Sequence, residues 1–154
     1  MTNAEIAEVF SDIADLLELK GENPFKVRAY RKAVLSIKDL PVEVEQLVNE
    51  NRLKEIPGVG EAIARKIVEL VTTGSLRFYD KLRAEFPEGI KDLLNIPGVG
   101  PRTAMLFYTG LGIKSVDELE AAILDGRVAR LPHMGEKTAE NILHQIQAMK
   151  KKVK

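Results

Sequence analysis

Residues 56–60 read Ile-Pro-Gly-Val-Gly, "IPGVG", and residues 96–100 spell "IPGVG" again, while residues 131–135 read "LPHMG", a blurred third copy. Set in register, the copies share more than the pentapeptide. Leu53, Leu93 and Val128 stand three residues before Ile56, Ile96 and Leu131. Ala64, Ala104 and Ala139 follow the last glycine of each copy by four residues, and Ile67, Phe107 and Ile142 follow it by seven. Three, four and seven are helical spacings, so a helix is expected on each side of the turn. Each unit reads as a short helix, a hydrophobic-Pro-Gly-hydrophobic-Gly hairpin, and a longer helix with a small residue at its closest crossing. The copies recur at spacings of 40 and 35 residues.

Such a turn reverses the chain within a few residues, so at least one position needs φ > 0, which glycine adopts at little steric cost. The second glycine opens a helix whose first N–H groups have no intrahelical partner. With no side chain in the way, an anion can approach those groups, and the helix dipole favours negative charge there. The isoleucine and valine pin the hairpin to the core. A device of this kind suits a nucleic-acid phosphate and reads no base. A single copy reads equally well as a plain inter-helix turn. Two identical copies, each followed by alanine at one offset, favour phosphate binding.

Helical period runs through the rest of the chain. Ile6, Val9, Phe10, Ile13, Leu16 and Leu17 form one stripe, with Thr2 and Glu5 spaced as a capping box. Asn23 and Pro24 read as a cap and first helical residue of a second helix ending near Lys38, and Pro41 opens a short third one. Residues 60–73 place Ile63, Ile67, Leu70 and Val71 on one face before Gly74 stops the helix. Further helices are expected near 75–85, 89–94, 100–109, 115–124 (Ser115 and Glu118 again spaced as a box) and 135–150, and no segment alternates as a strand does. The expected fold is all-α with short connections, divided at residues 87–89 into 1–86 and 87–154.

A hydrophobic fraction of 45% in 154 residues suffices for one domain or two small ones. The absence of cysteine excludes a disulfide framework, a thiolate zinc site and a cysteine nucleophile, and fits a reducing cytoplasm. No basic-then-apolar leader opens the chain and no run approaches the ~18 apolar residues of a membrane span, so a soluble, cytoplasmic protein is expected. Aromatic content of 5%, without tryptophan, argues against a base-stacking platform for long single strands. The net charge is zero, but its distribution is uneven. Residues 1–19 carry five acids and no base, residues 20–38 six bases and one acid, residues 51–83 seven bases and four acids, and residues 127–154 seven and two. Alternating blocks of this sort form either a basic face or ordinary solvated helix surface.

"GENPFKVRAYRKA" (21–33), "LKEIPGVGEAIARKI" (53–67), "LLNIPGVGPRTA" (93–104) and "GEKTAENIL" (135–143) resemble helix-hairpin-helix segments. Their order is similar to the N-terminal part of family X, polymerase beta-like DNA polymerases, above all the bacterial ones. The resemblance covers nearly the whole chain. It implies a polymerase beta N-terminal-domain-like first unit that grips the 5′-phosphate side of a DNA gap. A second helix-hairpin-helix domain would contact the duplex on the primer side. The polymerase palm, with its metal-binding aspartates, would begin about where this chain stops. Asp12, Asp15 and Asp117 read as solvated helix surface, so no nucleotidyl transfer is expected here. The chain is then either a free-standing relative or a piece of a longer polymerase with a covalently linked palm.

In lyase-active members of that family, a lysine after the first hairpin attacks the sugar aldehyde at an abasic 5′ end, and the Schiff base permits β-elimination. The matching residue is Lys66, with Tyr30 matching an assisting tyrosine. Lys66 lies off the Ile63/Ile67/Leu70 stripe, free to face solvent or DNA, and reads either as this nucleophile or as a surface lysine on a DNA-facing helix. A lysine nucleophile reacts in its neutral form, which nearby cations favour. Lys26, Arg28, Lys54 and Arg65 are the candidate neighbours. The expected DNA-binding set is Gly58, Val59, Gly60, Gly98, Val99, Gly100, Arg102, Thr103, Lys26, Arg28, Arg31, Lys54 and Arg65. Two positions depart from the animal members: Ala62 replaces a second lysine, and Phe25 replaces a histidine that stacks on DNA.

The resemblance further implies a monovalent cation, Na+ or K+, on the backbone carbonyls of Lys54, Ile56 and Val59 and of Leu94, Ile96 and Val99, bridging to a DNA phosphate. In the third copy His133 holds the first glycine's place, where φ > 0 is unfavourable for a side chain, so that hairpin is expected to serve packing. The tail, residues 150–154, reads as a basic arm or the frayed start of a linker. Three functions follow as expectations: a sequence-nonspecific module for gapped or nicked duplex in DNA repair at the bacterial nucleoid, a 5′-deoxyribose-phosphate lyase acting through Lys66, and a helical protein-interaction scaffold.

Overall fold

The computed structural model describes residues 1–153. Its helices are α1 (Asn3–Leu19), α2 (Pro24–Lys38), α3 (Val44–Asn49), α4 (Glu61–Thr73), α5 (Arg77–Ala84), α6 (Ile90–Leu94), α7 (Pro101–Leu111), α8 (Val116–Leu124) and α9 (Glu136–Val153), with single 3₁₀ turns at Leu53–Glu55 and Val128–Arg130. The fold is all-α, with no strand among the described residues. Two compact units make up the chain, Met1–Glu85 and a second beginning at Phe86.

Local sequence accounts for most helix ends. Thr2 and Glu5 form the reciprocal capping box on α1. The Asn23 side chain accepts the Phe25 N–H ahead of Pro24, and the Ser115 hydroxyl accepts the Glu118 N–H on α8. The third helix departs from expectation, beginning at Val44 rather than Pro41. The Asn3 side chain, 41 residues away, accepts the Val44 N–H at 2.8 Å and donates to the Val42 carbonyl at 2.9 Å. Those bonds hold residues 41–43 as a bend on α1 and fix where helical pairing can start.

In the first unit α1 is the central element, packed along α2 and also against α4 and α5. That is why it is buried over a wide arc, Ile6, Phe10, Ile13 and Leu17 alongside Ala7 and Ala14. Val27, Tyr30, Val34 and Ile37 of α2 and Ile63, Ile67 and Leu70 of α4 complete the core. Two acids expected to be solvated instead tie helices together. Asp12 accepts a hydrogen bond from the Tyr79 hydroxyl at 2.8 Å, joining α5 to α1. Asp15 and Glu18 receive Arg31 of α2 at 3.1 and 3.2 Å. Burial pushes the Asp15 carboxyl up, and Arg31 pulls it the other way.

In the second unit α6 packs on α7 and α8 on α9 around Ile90, Leu93, Phe107, Leu119 and Ile146. Asp117, whose side chain is 86% exposed as a solvated acid should be, takes Lys150 at 2.8 Å, and Glu120 takes the same ammonium at 2.7 Å. The tail is therefore helical through Val153 instead of frayed, and Lys154 lies outside the described residues. Phe10→Ala, at a fully buried ring, is expected to destabilise the first unit by about 3–5 kcal/mol in urea unfolding. Leu124→Ala, at a side chain 69% exposed, is expected to change stability by less than ~0.5 kcal/mol.

Candidate nucleic-acid interface

The repeated pentapeptide forms the same turn twice. The Val59 N–H donates to the Ile56 carbonyl at 3.1 Å across Pro57 and Gly58, and Gly58 has φ +84°. The Val99 N–H donates to the Ile96 carbonyl at 3.0 Å, with Gly98 at φ +90°. Proline followed by a left-handed residue is the pattern of a type II turn. The third copy closes the same bond, Met134 N–H to Leu131 carbonyl at 3.1 Å, with His133 at φ +63°. The turn thus forms despite the side chain, histidine being among the residues that enter this region most readily. What weakens is its anchorage. Ile56, Val59, Ile96 and Val99 are all buried, whereas Leu131 and Met134 are only half-buried.

The second glycine of each copy has another role. Gly60 (φ −89°, ψ −173°) and Gly100 (φ −94°, ψ −179°) are extended, a conformation open to any residue. A Cβ built on either would meet no atom of the chain within 4 Å. Neither backbone strain nor internal packing requires glycine there. Both residues precede a helix that no side chain caps, so the first N–H groups of α4, and those of Arg102 and Thr103 behind Pro101 in α7, lie open to an anion from outside. The two mouths differ in charge. Glu61 opens α4, its carboxylate drawn to Arg65 at 3.1 Å. Pro101 opens α7, followed by exposed Arg102 and half-buried Thr103, with no acid in the first turn.

Gly58, by contrast, is crowded. Its Cβ would fall 2.8 Å from Cγ and 2.9 Å from Cδ of Lys32, whose stem crosses the turn, and the Ser36 hydroxyl donates to the Pro57 carbonyl at 2.6 Å. Lys32 and Ser36 lie one turn apart on α2 and clasp the first hairpin. Sequence reading passed over Lys32, because its spacing from Ser36 is visible but the partner they share is not.

Lys66 is half-buried, not on a free flank. Its Nζ lies 4.7 Å from the centre of the Phe78 ring at the start of α5. Phe78 stacks parallel to Tyr30 at 6.3 Å and 2°, and Tyr30 stacks on Phe10 at 6.1 Å and 21°. Burial, then the charge of Lys26, hold the Lys66 amine below the ordinary lysine range, against the pull of Glu69. Lys26 is the one expected cationic neighbour that acts on it. Lys54 and Arg65 line a separate open recess of about 440 Å³ with Asn51, Leu53, Glu61, Ala64 and Val68. Arg28 lies over the ring of Phe25 at 4.8 Å, and that ring is 73% exposed. Arg31 is held by Asp15 and Glu18 on α1. Tyr30 is buried, which raises its phenol pKa and keeps it protonated. No buried side-chain nitrogen or oxygen among the described residues lacks a partner.

Among the described residues no three His, Cys, Asp or Glu side chains gather to hold a metal. The backbone offers other oxygens. The Ile56 and Ile96 carbonyls each accept one turn hydrogen bond and keep a second lone pair. Lys54 lies in the 3₁₀ turn before the first hairpin and Leu94 at the end of α6 before the second, while Val59 and Val99 close the two turns. Rings of carbonyl oxygens are the donor type that suits an alkali cation.

Residues 1–76 match the family described as a helix-hairpin-helix domain, and residues 90–148 match the SAM-like helix-hairpin-helix tandem. The chain carries tandem helix-hairpin-helix domains. It is similar to the DNA polymerase/3′-5′ exonuclease PolX of Bacillus subtilis (strain 168), with 32% identity over 143 residues, 93% of this chain and 25% of that protein. DNA polymerase lambda of Arabidopsis thaliana is 28% identical over 94% of this chain and 29% of its own length. The Holliday junction branch migration complex subunit RuvA of Acidovorax ebreus (strain TPSY) is 30% identical over 66% of this chain and 54% of its own. The helix-hairpin-helix protein thus spans about a quarter of the polymerases it matches and about half of RuvA. The similarity to the N-terminal region of family X polymerases runs through both hairpins. No helix among the described residues is long and apolar enough to cross a membrane.

The two glycines of the first hairpin separate by experiment. Gly58→Ala forces a side chain into left-handed backbone and against Lys32, and is expected to cost about 1–3 kcal/mol in urea unfolding. Gly60→Ala adds a methyl to open space in extended backbone, and is expected to stay within ~1 kcal/mol of the parent.

Proposed function

We propose that this chain is a sequence-nonspecific DNA-binding module for gapped or nicked duplex in DNA repair, acting in the cytoplasm at the nucleoid. One observation carries the reading. Two pinned turns of one conformation each place an uncapped helix N-terminus behind a glycine that nothing in the chain requires. The relatives, two DNA polymerases and a Holliday junction subunit, support DNA as the partner. The second hairpin, without an acid in its first turn, serves as the duplex anchor through Gly98, Val99, Gly100, Arg102 and Thr103. The first takes the 5′-phosphate end of the gap, with Gly58, Val59, Gly60 and Lys54 at the turn and Lys26, Arg28 and Arg65 around it. Na+ or K+ on the hairpin carbonyls would supply positive charge between backbone and phosphate. By the same resemblance a palm domain is the covalent partner in a longer protein, and no nucleotidyl transfer is assigned to the residues here.

Phosphate binding releases counterions. With about six neutralised phosphates, affinity for a gapped duplex is expected to fall by about 10³ between roughly 50 and 200 mM salt. Gly60→Ala and Gly100→Ala together are expected to weaken binding severalfold while leaving the fold intact, and a 5′-phosphate on the gap to strengthen it. An affinity that stays flat with salt rejects the DNA reading in favour of a protein-interaction scaffold.

A second reading is favoured by the surroundings of Lys66. Burial and Lys26 shift its amine toward the neutral form, the form a Schiff-base nucleophile needs. In this reading the chain is a 5′-deoxyribose-phosphate lyase, with Lys66 as nucleophile and the Tyr30 hydroxyl alongside. Borohydride is expected to trap a covalent adduct with a pre-incised abasic duplex, and Lys66→Ala to abolish it. An equal yield from that variant rejects the assignment.

A further inference from the structure

The contact between Lys66 and Phe78 has a consequence for the chemistry at that nitrogen. The Lys66 Nζ sits 4.7 Å over the Phe78 ring. Tyr30 lies parallel to that ring, and Phe10 stacks on Tyr30. Phe78 is itself fixed. The Glu69 carboxylate, one turn beyond Lys66 on α4, accepts the Arg77 N–H at 2.8 Å. It thereby caps α5, whose own cap residue Leu76 offers no side-chain bond. On the next residue, the Tyr79 hydroxyl bonds Asp12 of α1. The ring under Lys66 is thus held from both sides.

We propose that Phe78 is a positioning residue for Lys66, its ring face holding the nitrogen in place and stabilising the protonated imine that forms there when an aldehyde is the substrate. The inference rests on the lyase reading of Lys66. The neutral amine adds to the C1′ aldehyde of the open-chain sugar, and loss of water leaves a C=N bond whose nitrogen carries a proton and a positive charge. A C2′ proton passes to solvent water. Its electron pair forms the C1′–C2′ double bond, and the C=N pair moves onto nitrogen. The nitrogen pair then returns to re-form C=N, the C1′–C2′ π pair shifts to make a C2′–C3′ double bond, and the C3′–O bond breaks, phosphate leaving with that bond's electrons. Water hydrolyses the remaining imine and restores the amine. Positive charge is on the nitrogen before the proton is lost and again once phosphate has left, so a π face beneath it stabilises both charged stages. Lys26 carries like charge and Glu69 opposite charge toward the same nitrogen. Phe78 is the neutral group among them, and attracts the charge without donating or taking a proton.

Phe78 variants are read in single-turnover borohydride trapping on a pre-incised abasic duplex at saturating protein, with gapped-duplex affinity measured in parallel. Phe78→Leu keeps an apolar side chain and removes the π face. It is expected to lower the trapping rate on the order of three- to thirtyfold, the range of a partly desolvated cation–π contact, with affinity unchanged within about twofold. Phe78→Tyr and Phe78→Trp keep a π face and are expected to restore the rate, a rescue that simple filling of space by leucine does not give. A Phe78→Leu rate equal to the parent's, beside a Lys66→Ala variant that traps nothing, overturns the role of Phe78 and leaves the lyase reading standing. A parent protein that forms no adduct overturns both. Rate loss matched by equal loss of affinity or of folded protein in Phe78→Leu, without rescue by tyrosine or tryptophan, assigns Phe78 to the core alone.

Discussion

A left-handed residue in third place of a buried-anchor turn is the constraint on which the rest of this protein depends. Gly58 and Gly98 adopt φ near +90°, and that conformation turns the chain so that the isoleucine and valine on either side enter the core together. With those anchors buried, the following glycine and the helix it opens are held at the surface in fixed orientation. The arrangement separates two tasks that a single residue could not serve. The first glycine makes the turn possible, and the second leaves the helix mouth open. In the third copy His133 still makes the turn, but Leu131 and Met134 are only half-buried. A less firmly anchored helix mouth is a poorer pre-organised donor, whatever its sequence.

The two functional readings draw on different parts of the first unit. Phosphate binding uses backbone N–H groups and mobile cations, and tolerates approximate placement. Imine chemistry at Lys66 requires a lysine that is partly dry, near a like charge, and still able to carry positive charge later in the reaction. Those demands conflict, since burial alone destabilises the charged form. The Phe10–Tyr30–Phe78 stack reconciles them by replacing water on one side of the nitrogen with a polarisable face. Lys66, Lys26 and Phe78 belong to three different helices, so the site exists only when the first unit is folded.

Local chemistry made much of the fold legible. Thr2 with Glu5, Asn23 with Pro24, Ser115, and the repeated Pro-Gly turns all act within four residues, and helix existence followed from periodicity alone. Contacts between distant residues were not legible. Asn3 moved the start of α3 from 41 residues away. Asp12 and Asp15 look like solvated acids until Tyr79 and Arg31 are brought to them. The same holds at the site. The spacing from Gly60 picks out Lys66, but not the aromatic ring it rests on, because Phe78 belongs to the next helix and pattern carries no sign of which face it turns. Arg31 shows the converse: its charge suggested DNA, and its position gives it to α1.

Amide NMR during titration with a 5′-phosphorylated gapped duplex tests the phosphate-binding account most directly, because it reports on the backbone donors themselves. The largest shifts are expected at residues 58–63 and 98–104, saturating together with the binding curve and fading as salt is raised. Weaker shifts are expected around residue 133. Unmoved hairpin amides, with shifts confined to the acidic surface of α8 and indifferent to salt, would contradict it.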